Sequence, residues 1–328
     1  MPSVGFGTWR LKEEDARAAV RVALETGYRL IDTASIYKNE EVVGEVVQQW
    51  ELEQQTALAS DRLETSGCGM GCQVGGGGQT VEGKLKETGE GKGDEPRVFL
   101  TSKVSPYEMG YDGVMAAFGR TSEKLKRGRD GEAPLDLYLL HWPGVARKRH
   151  ESPVHRQTRR ESWRAMETLV REGRVRSIGV SNFCSHHIET LMEDGAEILP
   201  ALNQVEAHPL CAYSVGTPRG PQMEAARRLG IPIQAYASLG GGAEGGGGEL
   251  LQDPAVQKLA EETGRSAAQV LLRWGLQRKF AVIPRSKTPE RIAANIQVFD
   301  FELSDAQMAS LDELDTGQKF CWDAATVV

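Results

Sequence analysis

Long apolar runs are missing from this sequence. None approaches the roughly 20 residues that a membrane-spanning helix needs, and the chain does not open with a basic segment followed by an apolar core. The expectation is a protein that stays off the membrane, in the cytoplasm, with organelle targeting left open should residues precede Met1. An excess of positive charge is also missing: 39 Lys and Arg face 46 Asp and Glu, a net charge of -7. General polyanion binders draw their phosphate affinity from a basic excess, so nucleic acid is not an expected partner. Cysteines are few and unpaired in spacing. Cys68, Cys72, Cys184, Cys211 and Cys321 are odd in number and scattered, which suits free thiols in a reducing compartment better than a disulfide framework. The C-x3-C of Cys68 and Cys72 has no second pair or histidine near it, and His150, His155, His186, His187 and His208 have no ligand spacing, so no metal is expected.

What the sequence has is alternation. Short apolar strand-like runs fall at residues 4–8, 29–33, 98–104, 135–142, 175–181, 201–207, 232–237 and 281–285. Helical stretches lie between them. "EEDARAAVRVALETG" places Ala16, Ala19, Val20 and Ala23 on one stripe, and "ESWRAMETLVREG" does the same with Trp163, Met166, Leu169 and Val170. Gly27, Gly173 and Gly230 stand where these helices should stop. A β-then-α order repeated eight times predicts an α/β fold, with a closed parallel barrel ahead of an open doubly wound sheet.

Two glycine-rich stretches interrupt the rhythm. Residues 51–95, including "SGCGMGCQVGGGGQTVEGKLKETGEGKGDEP", have little to bury and read as a mobile low-complexity insertion between helix 2 and strand 3, within a single domain spanning 1–328. That connection lies on the barrel face away from the chemistry. The second, "LGGGAEGGGGE" from Leu239, follows strand 7 on the other face. It does not fit the dinucleotide fingerprint, which closes the first strand and opens a helix.

Barrel active sites are built at the C-terminal ends of strands. There stand Asp32 at the end of strand 2, Lys103 at the end of strand 3 and His141 at the end of strand 4, with Tyr37 in the loop after strand 2. Period-two alternation lets each of the three strand-end groups face inward. A buried lysine beside a phenol favours phenolate, and an aspartate keeps the lysine charged, so the tyrosine is expected as a proton donor poised nearer neutrality. Any one of these residues alone has a structural explanation; the group at successive strand ends is what points to chemistry.

The residues around them resemble the aldo-keto reductases. "GYRLIDTASIYKNEEVVG" is similar to that family's aspartate and tyrosine signature, "VFLTSKVSP" to its lysine segment and "LDLYLLHWPG" to its histidine segment. The likeness continues through "GRVRSIGVSNF", "ALNQVEAHP", "IQAYASLG" and "IPRSKTPERIAANIQVFDFELS". The resemblance implies a (β/α)8 TIM barrel and an NADPH-dependent carbonyl reductase that turns an aldehyde or ketone into an alcohol. It implies Tyr37, Asp32, Lys103 and His141 as catalytic residues, with Tyr37 the acid, Lys103 and Asp32 lowering its pKa, and His141 orienting the carbonyl oxygen. For NADP(H) it implies Thr8, Trp9, Asp32 and Leu239, then Ser181, Asn182 and Gln204 at the carboxamide, and Tyr236 stacked on the nicotinamide. Arg285, Ser286, Lys287, Thr288, Arg291 and Asn295 would surround the adenosine 2'-phosphate and adenine. Trp9, Trp142, Cys321 and Trp322 would wall the substrate pocket.

The sequence departs from the family pattern at Ala294, where a glutamate is frequent, and at Ala237 and Ser238, where Ser-Pro is frequent. No N-terminal hairpin precedes strand 1. The expected partner is a small-molecule carbonyl compound and the expected state a monomer. The competing function is a cofactor-bound regulatory module of the potassium-channel β-subunit type, which the complete tetrad disfavours.

Overall fold

A computed structural model describes residues 1–66, 97–129, 131–241 and 248–328. Its strands are β1 (Phe6–Gly7), β2 (Leu30–Asp32), β3 (Phe99–Val104), β4 (Leu135–Leu140), β5 (Val175–Ser181), β6 (Asn203–Glu206), β7 (Ile233–Tyr236) and β8 (Ala281–Val282). They form one eight-stranded sheet in sequence order, every neighbouring pair parallel. The sheet closes on itself: Val4 bridges Val282 in parallel, and Gly5 and Gly7 donate backbone N–H groups to the carbonyls of Val282 and Pro284. The chain is therefore a (β/α)8 barrel, as the alternation predicted, and each strand lies within or matches the run assigned to it. Apart from β5, the strands are shorter than those runs because ladder bonding stops where the chain turns away. His141 stands one residue past β4, still tied to β3 through its N–H to the Val104 carbonyl at 3.3 Å.

The helices are α1 (Glu13–Glu25), α2 (Glu40–Ser66), α3 (Tyr111–Leu125), α4 (Val154–Arg171), α5 (Ser185–Glu193), α6 (Glu224–Arg228), α7 (Gly248–Leu251), α8 (Pro254–Thr263), α9 (Ala267–Gln277), α10 (Pro289–Ile296) and α11 (Asp305–Asp312). The stripes read from the sequence face the sheet: Ala16, Ala19, Val20 and Ala23 of α1 are buried, as are Trp163, Met166 and Leu169 of α4. Gly27 and Gly173 follow their helices with φ of +106° and +69°, the left-handed geometry that a side chain resists.

Helix α2 runs on through Ser66, into the segment set apart as an insertion. Glu51 secures that continuation, since its carboxylate accepts from Val98 N at 2.8 Å at the entry to β3 and from Arg127. The rest of the segment, with Cys68 and Cys72, lies outside the described residues, as do residues 242–247 of the second glycine run. Cys184, Cys211 and Cys321 form no disulfide. Among the described residues no helix is long and apolar enough to cross a membrane, and no cluster of metal-ligating side chains occurs.

Three packed clusters result, one of them centred on Leu250, Val270 and Trp274. The largest fills the space between sheet and helices. A small cluster of Leu137, Leu139 and Leu202 with Phe99 against it is followed along β3 and β4 by Thr101, Lys103 and His141, towards the C-terminal ends. The polarity change along the strands places charge at one end of the barrel.

Candidate active site

Lys103 is fully buried at the C-terminal end of β3. An ammonium has three donors and no acceptor, and each donor is used: Asp32 Oδ1 at 2.6 Å, the Thr33 carbonyl at 2.9 Å and the Tyr37 hydroxyl at 3.2 Å. Asp32 is held from its other side by Gln204 Nε2, 2.7 Å from Oδ2. Burial works against the charge on Lys103, but Asp32 and Tyr37 outweigh it and hold its pKa above the ordinary lysine value. Because the lysine donates to the phenol oxygen, the phenol's own proton points away from it. Tyr37 also lines the cavity.

The expected downward poise of Tyr37 is corrected in one respect. Burial is the largest influence and raises its pKa; Lys103 pulls it down, while the negative charge of Asp32 pushes it up. The net shift is upward. The barrel mouth withholds water from the phenolate more than one lysine compensates, which favours the protonated phenol. The ring of His141 stands edge-on to Tyr37, centroids 5.6 Å apart. Burial, and then the charge of Lys103, lowers the His141 pKa well below that of a free imidazole. A neutral ring beside a charged lysine can donate or accept without adding a second positive charge.

Asn182 is spent on the frame of the site. Its Nδ2 donates to the His141 carbonyl at 3.0 Å and to Ser181 Oγ at 3.1 Å, and its Oδ1 accepts from the Tyr236 hydroxyl at 2.7 Å. Ser181 Oγ donates to the Gln204 carbonyl at 2.8 Å. Gln204 uses its NH2 on Asp32 and on Gln234 Oε1. These bonds join β2, β5, β6 and β7 into one polar floor. Several of the residues around it adopt left-handed backbone without being glycine: Arg10 at φ +62°, Lys38 at +58°, Arg147 at +62°, Asn182 at +64° and Ala237 at +51°. Lys126 and Lys279 adopt the same geometry just after α3 and α9, so such strain is frequent around the floor without being confined to it.

A cavity of about 750 Å3 opens over this floor. It brings together Trp9, Asp32, Tyr37, His141, Trp142, Ser181, Asn182, Gln204, Tyr236, Leu239, Arg285, Cys321 and Trp322. Thr8 lies beneath, its hydroxyl on the Asp32 carbonyl at 2.9 Å. Ser286, Lys287, Thr288, Arg291 and Asn295 do not line the cavity. They continue from Arg285 to the start of α10, where Ser286 Oγ accepts from Thr288 N at 3.1 Å. Lys287 is paired with Asp15, Arg291 is exposed with no ion pair among the described residues, and Asn295 is buried on α10.

Sequence reasoning missed two residues here. Arg10 lines the cavity beside Arg285. Burial, and then the charge of Arg10, lowers the Arg285 guanidinium below its ordinary value. Two arginines with no carboxylate partner among the described residues, in a chain of net charge -7, describe a place for an anion. Position alone could have suggested Arg10, which follows strand 1 directly. Glu206, the last residue of β6, is the second. Its buried carboxylate accepts from Phe320 N at 2.6 Å and Cys321 N at 3.1 Å, with His208 Nε2 at 3.1 Å and Lys319 Nζ at 3.6 Å. Burial pushes this carboxyl up, yet His208, Lys319 and the Phe320 N–H hold it below its usual value. Glu206 thus fixes the C-terminal segment over the mouth, where Trp322 meets Trp9 edge to face at 5.8 Å.

Comparison with known proteins agrees with this geometry. Residues 3–69 and 78–316 match the sequence profile described as the aldo/keto reductase family. Morphine 6-dehydrogenase of Pseudomonas putida is 37% identical over 324 residues, covering 97% of this chain and 88% of its own. The crystal structure of MGS-M4, an aldo-keto reductase enzyme from a Medee basin deep-sea metagenome library, superposes with a TM-score of 0.74 at 32% identity, covering 99% of this chain and 95% of that one. A Bombyx mori aldo-keto reductase, AKR2E4, solved in complex with NADP, superposes with a TM-score of 0.72 at 28% identity, covering 98% and 91%. With its closed parallel barrel, its buried Asp–Lys–Tyr chain and these relatives along its whole length, this protein belongs to the aldo/keto reductase family of NADP-dependent oxidoreductases.

Proposed function

We propose that this barrel reduces aldehydes and ketones with NADPH, with Tyr37 as the proton donor. The observation that carries the reading is the fully bonded Lys103, whose contact with Tyr37 directs the phenol proton away from the lysine, in a residue that lines the cavity. The residues fit a nicotinamide cofactor. Gln204 Oε1 makes no hydrogen bond among the described residues, and Asn182 Oδ1 retains a lone pair, so two acceptors face a carboxamide NH2. Arg10 and Arg285 supply the uncompensated charge that a phosphate needs. When bound, the cofactor supplies a hydride to the carbonyl carbon. Tyr37 gives its proton to the carbonyl oxygen, and Lys103 steadies the phenolate left behind. Neutral His141 orients the same oxygen, while Asp32 keeps Lys103 charged and Gln204 keeps Asp32 in place. Trp9, Trp142 and Trp322 exclude water and accept an apolar substrate body.

The test is oxidation of NADPH with an aromatic aldehyde across pH. Tyr37, with its raised pKa, is protonated throughout the neutral range, and His141, with its lowered pKa, is neutral there. The rate therefore stays level from about pH 5.5 to 8, because His141 is held well below its free value of roughly 6.5 and Tyr37 above its free value of roughly 10, so neither changes protonation in that window. A rate that halves near pH 6.5 would show His141 titrating as a free imidazole and remove its assigned role.

Cofactor choice rests on the β8–α10 segment. Charge-assisted bonds to a phosphate are strong, so Arg285→Ala and Arg291→Ala each weaken NADPH binding by about tenfold. Arg291→Ala leaves NADH binding close to that of the parent. Equal losses for both cofactors would move Arg291 away from the 2'-phosphate.

A further inference from the structure

The cavity has a second cationic pole that a dinucleotide does not explain. Arg10 and Arg285 follow β1 and β8, on one side of the mouth. Arg147 and Lys148 also line the cavity, but they lie on the loop after β4, across the barrel from β8 in a sheet ordered β1 to β8. Neither has an ion-pair partner among the described residues, although most arginines elsewhere on this acidic surface do, from Arg17 on Glu45 to Arg265 on Asp300.

The loop that carries them is built to hold them. His155 is buried in α4, its Nδ1 accepting from Val145 N at 2.9 Å and its Nε2 donating to the Arg149 carbonyl at 2.7 Å. Ala146 N bonds the Pro106 carbonyl at 2.9 Å. Arg147 takes a left-handed backbone, φ +62°, and its guanidinium sits 5.4 Å from the ring centre of Tyr107. A strained residue pinned on both sides, with a charge stacked on an aromatic wall, is oriented rather than loosely solvated. Among the described residues, Asp32 is the single carboxylate lining the cavity, and Lys103 already neutralises it.

We propose that Arg147 and Lys148 form an anion-binding rim that selects carbonyl substrates carrying a carboxylate or phosphate remote from the carbonyl group. This rests on the carbonyl-reductase reading above. The carbonyl enters towards Tyr37, an apolar or aromatic body lies along the tryptophan walls, and the anion remains at the mouth, where it is only partly desolvated. Exposed charge pairs are individually weak and are screened by salt, so the preference is moderate and falls as ionic strength rises.

The experiment compares 4-carboxybenzaldehyde and 4-formylphenyl phosphate with the methyl ester of the former, in the NADPH-loaded enzyme at low salt. Either anion should exceed the neutral ester in kcat/KM by about tenfold, through KM, and the better of the two identifies the anion class. In the double variant Arg147→Gln, Lys148→Gln, or at 0.5 M salt, the ratio of anion to ester should fall to about one. Equal kcat/KM for anions and ester in the parent, or a ratio that survives the double variant, overturns the rim while leaving the reductase intact. Binding separates the two readings further. 4-(Hydroxymethyl)benzoate is titrated into the protein and NADP by tryptophan fluorescence. Binding that the double variant loses, without turnover of any aldehyde, keeps the rim and removes the reductase.

Discussion

Replacing Tyr37 by phenylalanine should reduce carbonyl turnover by a factor of about 100 to 10,000, the usual worth of a positioned general acid. The ring remains, and with it the edge contact to His141; only the proton and its oxygen are lost. The developing alkoxide then has no donor nearer than neutral His141. NADPH binding should persist within about twofold, since the groups that would meet the cofactor do not include the phenol. Turnover by NADPH absorbance and binding by tryptophan fluorescence can be measured on one preparation. A Tyr37→Phe enzyme that reduces aldehydes at the parental rate would show that the proton comes from elsewhere.

Lys103→Met should have the second large effect, and it acts on two properties at once. Turnover should fall by about 100-fold or more, because the phenolate formed after proton transfer loses its only cation. The fold should also weaken. Asp32 and Lys103 are 2.6 Å apart and almost wholly buried, and removing one partner leaves an uncompensated carboxylate, a cost of about 3 to 5 kcal/mol. The sign with pH follows from the raised folded-state pKa of Lys103. Its contribution is fully present below the unfolded value of about 10.4 and is lost as pH rises through the higher folded value. Adding Asp32→Asn to Lys103→Met should recover about half or more of the lost stability, since a neutral amide has no charge to compensate. It should recover none of the activity. Urea unfolding of the three variants tests this, and a double variant no more stable than Lys103→Met would mean that the pair is not the source of the loss.

Much of this was legible in the sequence because the determinants are local. Strand runs, helix stripes and terminal glycines are short-range patterns, and they located all eight strands. The strand-end rule then found Asp32, Lys103 and His141 without knowledge of their contacts. What escaped depends on distance in space. The upward shift of Tyr37 is set by how completely the barrel mouth removes water, which no residue type encodes. The vacant charge of Arg10 and Arg147 becomes visible only once the contacts of the other arginines are known, most of which reach a carboxylate, as Arg17 reaches Glu45 and Arg265 reaches Asp300. Helix α2 was cut short at residue 50 because its hydrophobic stripe fades there. The stretch "ELEQQTALASDRLETS" nevertheless consists largely of good helix formers, and propensity with one anchor at Glu51 carries the helix onward. Glu206 read as one more acid in "NQVEAHP", since the segment it holds arrives more than a hundred residues later.

In the proposed reaction Tyr37 delivers the proton while a nicotinamide hydride reaches the carbonyl carbon in this cavity. The most direct measurement follows the hydride itself, by mass spectrometry of the product formed from 4-nitrobenzaldehyde with NADPH carrying deuterium at both C4 positions. The account predicts an alcohol carrying one deuterium on the carbinol carbon, formed by the parent and nearly absent with Tyr37→Phe. Tight binding of the labelled cofactor by the parent, with the aldehyde recovered unchanged, would contradict it and leave the barrel as a cofactor-binding module.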